Sequence, residues 1–296
     1  MTFRGTGTAL ITPFTRDGAL DEAALARFVD WQIAEGIDFL VPCGTTGENP
    51  ALTPDEHRRV VEITIERAGA ASRPVPVLAG AGSNSTPRAV ELAELAVDLG
   101  ADGLLTITPY YNKPNPDGLL RHFRAQAEAV EKKQPGFPMI MYNVPGRTGV
   151  NMTAETTLRI ARELPNVVGV KEASANMEQI LTILRDRPRG FLVLSGDDAW
   201  TLPLLGAGAD GLVSVASNEA PRLMRELVAQ RSVDIHNRLL PLLLGNFIES
   251  NPVPVKAALA MMGILESDTV RSPLAPIGEA NRKRLEEILK ECGLLT

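Results

Sequence analysis

The stretch PNVVGVKE at 165–172 holds the reading on which the fold turns. Val167, Val168, Gly169 and Val170 lack helical spacing and follow Pro165 and Asn166, so they read as a short strand covered on both faces, as in parallel sheets. Lys171 then stands at the strand's carboxyl end, where α/β barrels and open α/β sheets carry out their chemistry. Burying an amine is costly because desolvation disfavours the ammonium form. A strand-end lysine that snorkels to solvent avoids that cost and is the competing reading of the residue taken alone.

Outward from this stretch, short Val/Ile/Leu runs alternate with longer amphipathic ones, and each pair is a candidate βα unit. Strands are expected at 8–12, 39–42, 75–79, 103–107, 139–142, 167–171, 191–195 and 211–215. Helices are expected between them at 22–34, 54–70, 87–99, 117–130, 154–163, 177–186 and 199–205. Thr53 before Pro54, with Glu56 three residues on, has the form of a capping box, and Thr86 precedes Pro87 in the same way. Gly36, Gly100 and Pro165 mark helix ends. Eight units in succession predict an α/β (β/α)8 TIM barrel over residues 1–220.

A dinucleotide-binding sheet is the rival, and the first βα turn tests it. The opening strand is followed by TPFTRDGALDE, which contains no GxGxxG. Gly80, Gly82 and Ser83 form a loose glycine-rich loop without the lysine of a phosphate loop, so tight strand-to-helix turns explain them. After Asn218 the alternation stops. Helical patterns at 221–232, 234–247, 255–262 and 279–291 predict a C-terminal helical segment over 221–296. Within it Leu239, Leu240, Leu242, Leu243 and Leu244 form an apolar cluster suited to burial.

The 296 residues are 44% hydrophobic, enough for a substantial core, and carry a formal charge of −6. That charge argues against nucleic acid or an acidic membrane surface as the main partner, so an anionic substrate must be drawn in by local basic groups. Cys43 and Cys292 have no CxxC spacing and suit a reducing compartment. The opening MTFRGTGTALITPF is too short in apolar residues for a signal peptide, and no run spans a bilayer, so a cytoplasmic protein is expected. His57, His122 and His236 are too scattered for a metal site, and the first two are expected on polar helix faces. No cofactor or metal is expected.

The polar groups that could carry chemistry lie just beyond the expected strands. Strand two is followed by Cys43, Gly44, Thr45, Thr46, Gly47 and Glu48, where two hydroxyls between glycines offer short donors and exposed amides to a carboxylate. The chain has three tyrosines: Tyr110 and Tyr111 follow strand four, and Tyr142 ends strand five. Phenols gathered at strand ends can relay protons within one pocket. Arg147, in a loop shaped by Pro145, Gly146 and Gly149, offers a bidentate carboxylate clamp. Lys171 beside these groups is what carbonyl activation requires: an unprotonated amine to attack a ketone and neighbours to move protons. Lys256, in NPVPVKAAL, is the competing lysine but lies outside the eight strands. Gly196, Asp197 and Asp198 would place acidic groups where a phosphate-binding barrel needs donors, and the two aspartates could cap the next helix.

GTTGE at 44–48, TPYYNKP at 108–114, YNVPGRTG at 142–149, VVGVKEAS at 167–174 and LSGDDA at 194–199 occur together and in order. In this the chain resembles the dihydrodipicolinate synthase and N-acetylneuraminate lyase family of class I aldolase-like barrels, over nearly its whole length. The resemblance implies a Schiff base between pyruvate and Lys171, Tyr142 as the acid/base hydroxyl, and Thr45 linking it to Tyr111 in a proton relay. It implies that Thr45 and Thr46 hold the pyruvate carboxylate and that Arg147 receives the carboxylate of the second substrate. In the synthase branch the second tyrosine of the YY pair crosses a dimer interface, so Tyr111 would serve the neighbouring subunit in a homodimer or a homotetramer built as a dimer of dimers.

GTTGE and the arginine of RTG resemble the synthase branch, which condenses pyruvate with L-aspartate 4-semialdehyde to give 4-hydroxy-tetrahydrodipicolinate, a step towards diaminopimelate and lysine. An aldolase or dehydratase acting on a 2-keto-3-deoxy sugar acid would share the imine half of the mechanism, and a non-catalytic barrel would make the cluster incidental. In feedback-inhibited members L-lysine binds at the dimer interface through residues that include a histidine and a glutamate. His57, Asn84 and Tyr110 match parts of that site, but Pro54 and Arg88 stand where another histidine and the glutamate would be. An arginine in place of a carboxylate repels an ammonium group, so weak or absent lysine inhibition is expected.

Overall fold

Strand and helix alternate from the start of the chain in the computed structural model, which describes residues 3–295. The elements run β1 (Gly5–Ala9), α1 (Glu22–Ala34), β2 (Phe39–Val41), α2 (Pro54–Ala70), β3 (Leu78–Gly80), α3 (Thr86–Asp98), β4 (Gly103–Ile107) and α4 (Pro116–Lys133). They continue with β5 (Met139–Asn143), a single turn α5 (Pro145–Thr148), α6 (Ala154–Glu163), β6 (Val167–Glu172), α7 (Met177–Asp186), β7 (Leu192–Ser195), α8 (Thr201–Gly206) and β8 (Gly211–Ser214). Four helices follow: α9 (Pro221–Gln230), α10 (Val233–Gly245), α11 (Val253–Met261) and α12 (Glu279–Glu291).

The strands pair in the order β2-β1-β8-β7-β6-β5-β4-β3, with every pairing parallel. A parallel bridge between Leu40 and Val77 closes the ring, supported by the Leu40 N–H donating to Pro76 O at 2.9 Å and Gly80 N–H to Pro42 O at 2.9 Å. The chain is therefore a (β/α)8 TIM barrel with additional C-terminal helices.

Side-chain alternation divides the core into two layers. Leu40, Val77, Leu104, Met139, Met141, Val170 and Val193 face outward against the helices. Phe39, Leu78, Leu105, Ile140, Tyr142, Leu192 and Leu194 fill the barrel interior with Phe3 and Val213. The first strand lies at Gly5–Ala9, three residues before the expected 8–12. Two glycines hide it from a propensity reading, yet Gly7 is required there because a Cβ would sit 2.1 Å from the Phe39 ring.

The capping box is present as expected: Thr53 Oγ accepts from Glu56 N–H, and the Glu56 side chain accepts from Thr53 N–H. Thr86, expected as a cap, is instead the first residue of α3, because its hydroxyl pairs with His122 Nδ1 at 2.9 Å. His57 and His122 are not on polar faces as expected; both are buried. His57 Nε2 meets Gly80 O at 3.0 Å, and burial pushes its pKa down and that of His122 to about 4.

The C-terminal helices share a core with the barrel, in which Leu239, Leu242, Leu243, Leu285 and Leu289 pack with Leu205, Leu212 and Ala216. Leu244, grouped with the buried leucines by sequence, is exposed. Among the described residues no helix is long and apolar enough to cross a membrane.

Candidate active site

The direction of Lys171 is set by an irregularity in β6. The register between β5 and β6 shifts by one residue, so Met139 pairs with Val167 but Ile140 with Gly169, leaving Val168 as the extra residue. Strict alternation would put Lys171 on the same face as Val167, outward. The bulge reverses that parity and turns Lys171 inward, beside its partner Tyr142. Bulges next to sites re-aim side chains in this way.

Lys171 is 6% exposed, and its Nζ lies 4.1 Å from the centre of the Tyr142 ring. Among the described residues no carboxylate forms an ion pair with it. Desolvation lowers its pKa from 10.5 to about 7, with Arg147 adding to the fall and Asp198 opposing it. Asp198 itself is engaged elsewhere, accepting from Ser214 Oγ at 2.6 Å and from the N–H groups of Val215 and Ala216. It ties β7 to β8, whereas Asp197 accepts from Ala199 and Trp200 N–H ahead of α8. Neither aspartate caps α8 as expected: the residue at its N-cap is Trp200, with no side-chain cap, and Asp197 closes the turn that leads into it. Glu172, adjoining Lys171 in sequence, faces the other way into a network with Asn143, Ser174 and Gln179.

Tyr142 lines a cavity of about 200 Å³ with Thr45, Leu105, Tyr110, Arg147 and Thr148. Its phenol pKa is pushed up to about 12 by burial, with Arg147 and the Thr45 hydroxyl opposing the rise, so the group is protonated at neutral pH. Arg147 sits on the α5 turn and donates through Nη2 to Asn251 O at 3.3 Å. Thr46 is buried next to Thr45, and its Oγ accepts from Asn251 Nδ2 at 3.0 Å.

Four of the residues singled out by sequence, Lys171, Tyr142, Thr45 and Arg147, thus converge at the carboxyl ends of β2, β5 and β6. Tyr111 does not join them within its own chain. It is 87% exposed, with φ +72°, and its N–H donates to Thr148 O at 3.2 Å.

Lys256 is not a second nucleophile in waiting: its Nζ lies 2.6 Å from Glu48 Oε1. Glu48 closes the threonine loop in the left-handed region, at φ +54°, and its other oxygen accepts from Arg271 N–H at 2.9 Å. Asn251, Glu48 and Arg271 were missed by sequence reasoning as supports of the site. Glu48 and Lys256 are charged residues inside otherwise apolar or small-residue runs, which was the available signal; the partnership spans 208 residues and had none.

Comparison with known proteins agrees with this geometry. The sequence profile of the dihydrodipicolinate synthetase family matches residues 2–292. The chain is 50% identical over 303 residues to the 4-hydroxy-tetrahydrodipicolinate synthase of Koribacter versatilis, with 100% of this chain and 98% of the relative covered. Among solved structures it is similar to dihydrodipicolinate synthase from Thermotoga maritima, with TM-score 0.93, 43% identity and 100% of both chains covered. It is also similar to the chloride-inhibited dihydrodipicolinate synthase from Acinetobacter baumannii complexed with pyruvate, with TM-score 0.93, 40% identity, and 99% and 100% of the two chains covered. The chain belongs to the dihydrodipicolinate synthetase family.

Proposed function

We propose that this chain condenses pyruvate with L-aspartate 4-semialdehyde through a Schiff base on Lys171, giving 4-hydroxy-tetrahydrodipicolinate and water. The observation that carries the reading is the unpaired, desolvated Lys171 amine against Tyr142, with a pKa of about 7. Neutral amine attacks C2 of pyruvate, and the former carbonyl oxygen leaves as water after taking two protons. Tyr142, protonated at neutral pH, is the first donor, and Thr45 connects it to the rest of the relay. Loss of a methyl proton turns the imine into an enamine, whose C3 forms the new bond to the aldehyde carbon. The substrate's own amine then adds to C2 and expels Lys171 Nζ, restoring the free lysine.

Thr45 and Thr46 hold the pyruvate carboxylate, and Arg147 clamps the carboxylate of the aldehyde substrate. An arginine fork suits a planar carboxylate better than a lysine point charge does. Tyr111 completes the relay in a neighbouring subunit, which makes at least a homodimer, and in a dimer of dimers a homotetramer, part of the active enzyme. Its 87% exposure supports that placement, because an aromatic ring so free of its own chain has nothing local to pack against. Mixed dimers of Tyr111→Phe and Lys171→Ala should regain activity at one site in two, and demonstrated mixed dimers with none would place Tyr111 in its own chain's site.

Reduction with borohydride in the presence of pyruvate should leave one reduced pyruvyl unit on Lys171. Turnover with L-aspartate 4-semialdehyde should exceed that with sugar-acid aldehydes; the reverse preference would move the chain to the 2-keto-3-deoxy sugar acid reaction. Weak or absent inhibition by L-lysine belongs to the same reading. Arg88 pairs with Glu91 at 2.8 Å, and burial lowers the pKa of His57 with the Arg88 charge adding to the fall, so Arg88 brings positive charge where an ammonium group would bind. Strong inhibition at sub-millimolar L-lysine would contradict this.

A further inference from the structure

Asn251, just ahead of α11, is 5% exposed and touches two groups assigned to different substrates. Its side-chain Nδ2 donates to Thr46 Oγ at 3.0 Å, while its main-chain carbonyl accepts from Arg147 Nη2 at 3.3 Å. A threonine hydroxyl has one hydrogen and two lone pairs. With an amide N–H on one lone pair, the hydroxyl hydrogen must point away from Asn251, and among the described residues nothing accepts it. A carboxylate beside Thr46 is the acceptor that orientation suits, because an ionised oxygen roughly doubles the strength of the bond.

We infer that Asn251 is a positioning residue that holds the Thr46 hydroxyl as a donor for the pyruvate carboxylate and braces Arg147 beside it. This rests on the reading that Thr46 binds pyruvate. A segment outside the eight strands thereby sets the hydrogen-bond polarity of the first-substrate pocket and links it to the second-substrate clamp. The neighbouring contact works in the same direction, since Lys256 on α11 holds Glu48 two residues beyond Thr46. The threonine loop is thus held from the C-terminal segment at two points, one just ahead of α11 and one on it.

The test compares Thr46→Val, Asn251→Ala and the double variant, measuring KM for each substrate, kcat and thermal stability. Losing one hydrogen bond to a charged group should raise the pyruvate KM by about tenfold to a hundredfold in either single variant, with kcat at saturating pyruvate changed less than about threefold. The double variant should be no worse than the weaker single one, because both substitutions remove the same bond. Thr46→Ser should restore near-normal KM and remain sensitive to Asn251→Ala. The aldehyde KM should move less than the pyruvate KM, since alanine keeps the main-chain carbonyl that Arg147 uses. Should Asn251→Ala fail to fold, Asn251→Ser is read by the same rule. An unchanged pyruvate KM in Thr46→Val sinks the assignment of Thr46 and the inference with it. A raised KM in Thr46→Val beside an unchanged one in a folded Asn251 variant, or effects that multiply in the double variant, overturns the inference alone.

Discussion

Two lysines of this chain are buried in nearly the same way and have opposite chemistry. Lys171 and Lys256 are 6% and 0% exposed, and each places Nζ 4.1 Å from the centre of an aromatic ring, Tyr142 for one and Phe14 for the other. Burial pushes both amines below the ordinary lysine range. The difference is a carboxylate. Glu48 sits 2.6 Å from Lys256 and pulls its pKa back up, so the amine stays charged in a structural pair. The carboxylate near Lys171, Asp198, spends its oxygens on Ser214, Val215 and Ala216. Burial and an aromatic face are common to both; the missing counter-ion is what leaves Lys171 free to be a nucleophile.

The comparison breaks most directly if the two roles can be exchanged. Lys171→Met should abolish pyruvate trapping and lower turnover by at least about a thousandfold, since the other buried amine, Lys256, is held by Glu48. Lys256→Met, wherever it folds, should still give an adduct on Lys171. Peptide mapping of the reduced product decides it: an adduct on Lys256 in the Lys171→Met protein would undo the distinction.

Stability should move in opposite directions in these two proteins. Lys256→Met leaves Glu48 buried without its cation and should cost about 3–5 kcal/mol, a fall in Tm on the order of ten degrees. Lys171→Met removes a buried amine that has no partner and should stabilise the fold by a few kcal/mol. The pH dependence carries the sign. The pKa of Lys171 is depressed on folding from 10.5 to about 7, so as pH falls through that window the unfolded chain takes up a proton that the folded one refuses. Wild-type stability therefore drops between those values and levels off below about pH 7. The gain from Lys171→Met should be greatest at or below pH 7 and vanish above pH 10.5, as denaturant titrations at several pH values would show.

Much of this was legible in the chain, and the parts that were not share a cause. Eight apolar runs separated by capped amphipathic stretches predict the barrel because each βα unit carries its own local signal, and the capping box at Thr53 and Glu56 appears where the spacing put it. Lys171, Tyr142, Thr45 and Arg147 could be gathered because each follows its own strand. The bulge at Val168 could not be read, since in VVGVK no alternation shows which residue is extra. His57 and His122 were misplaced because each sits among charged neighbours while its ring turns inward to a single hydrogen-bond partner. Asn251 with Thr46 and Lys256 with Glu48 join residues 205 and 208 positions apart, a distance at which spacing carries no signal.

Titration of the two amines sharpens the contrast further. With a pKa of about 7, half of Lys171 is neutral at pH 7, against about one in 3,000 for a lysine at its ordinary value. Imine formation with pyruvate, captured by cyanoborohydride, should slow about tenfold for each pH unit below 7 and be flat above it. Lys256 should show no adduct anywhere in that range. A rate that climbs steadily to pH 10 would mean that Lys171 titrates as an exposed lysine.

The smallest expected effect concerns the space around the free amine. A Cβ added to Gly196, in the turn after β7, would sit 3.1 Å from both Cγ and Cε of Lys171 and 2.7 Å from the Ala173 Cβ. The lysine stem can yield by a few tenths of an ångström, but the Ala173 contact requires the backbone to move. Gly196→Ala should therefore cost about 1 kcal/mol or slightly more and tilt the amine from its place over Tyr142. Trapping by pyruvate should slow several-fold, because small misplacements of a nucleophile are expensive. A separate effect on the lysine, rather than on the fold, shows as a slower trapping rate at a temperature where the variant is fully folded. Wild-type trapping in that protein would mean the stem relaxes without consequence, leaving the missing counter-ion as the only thing that sets Lys171 apart from Lys256.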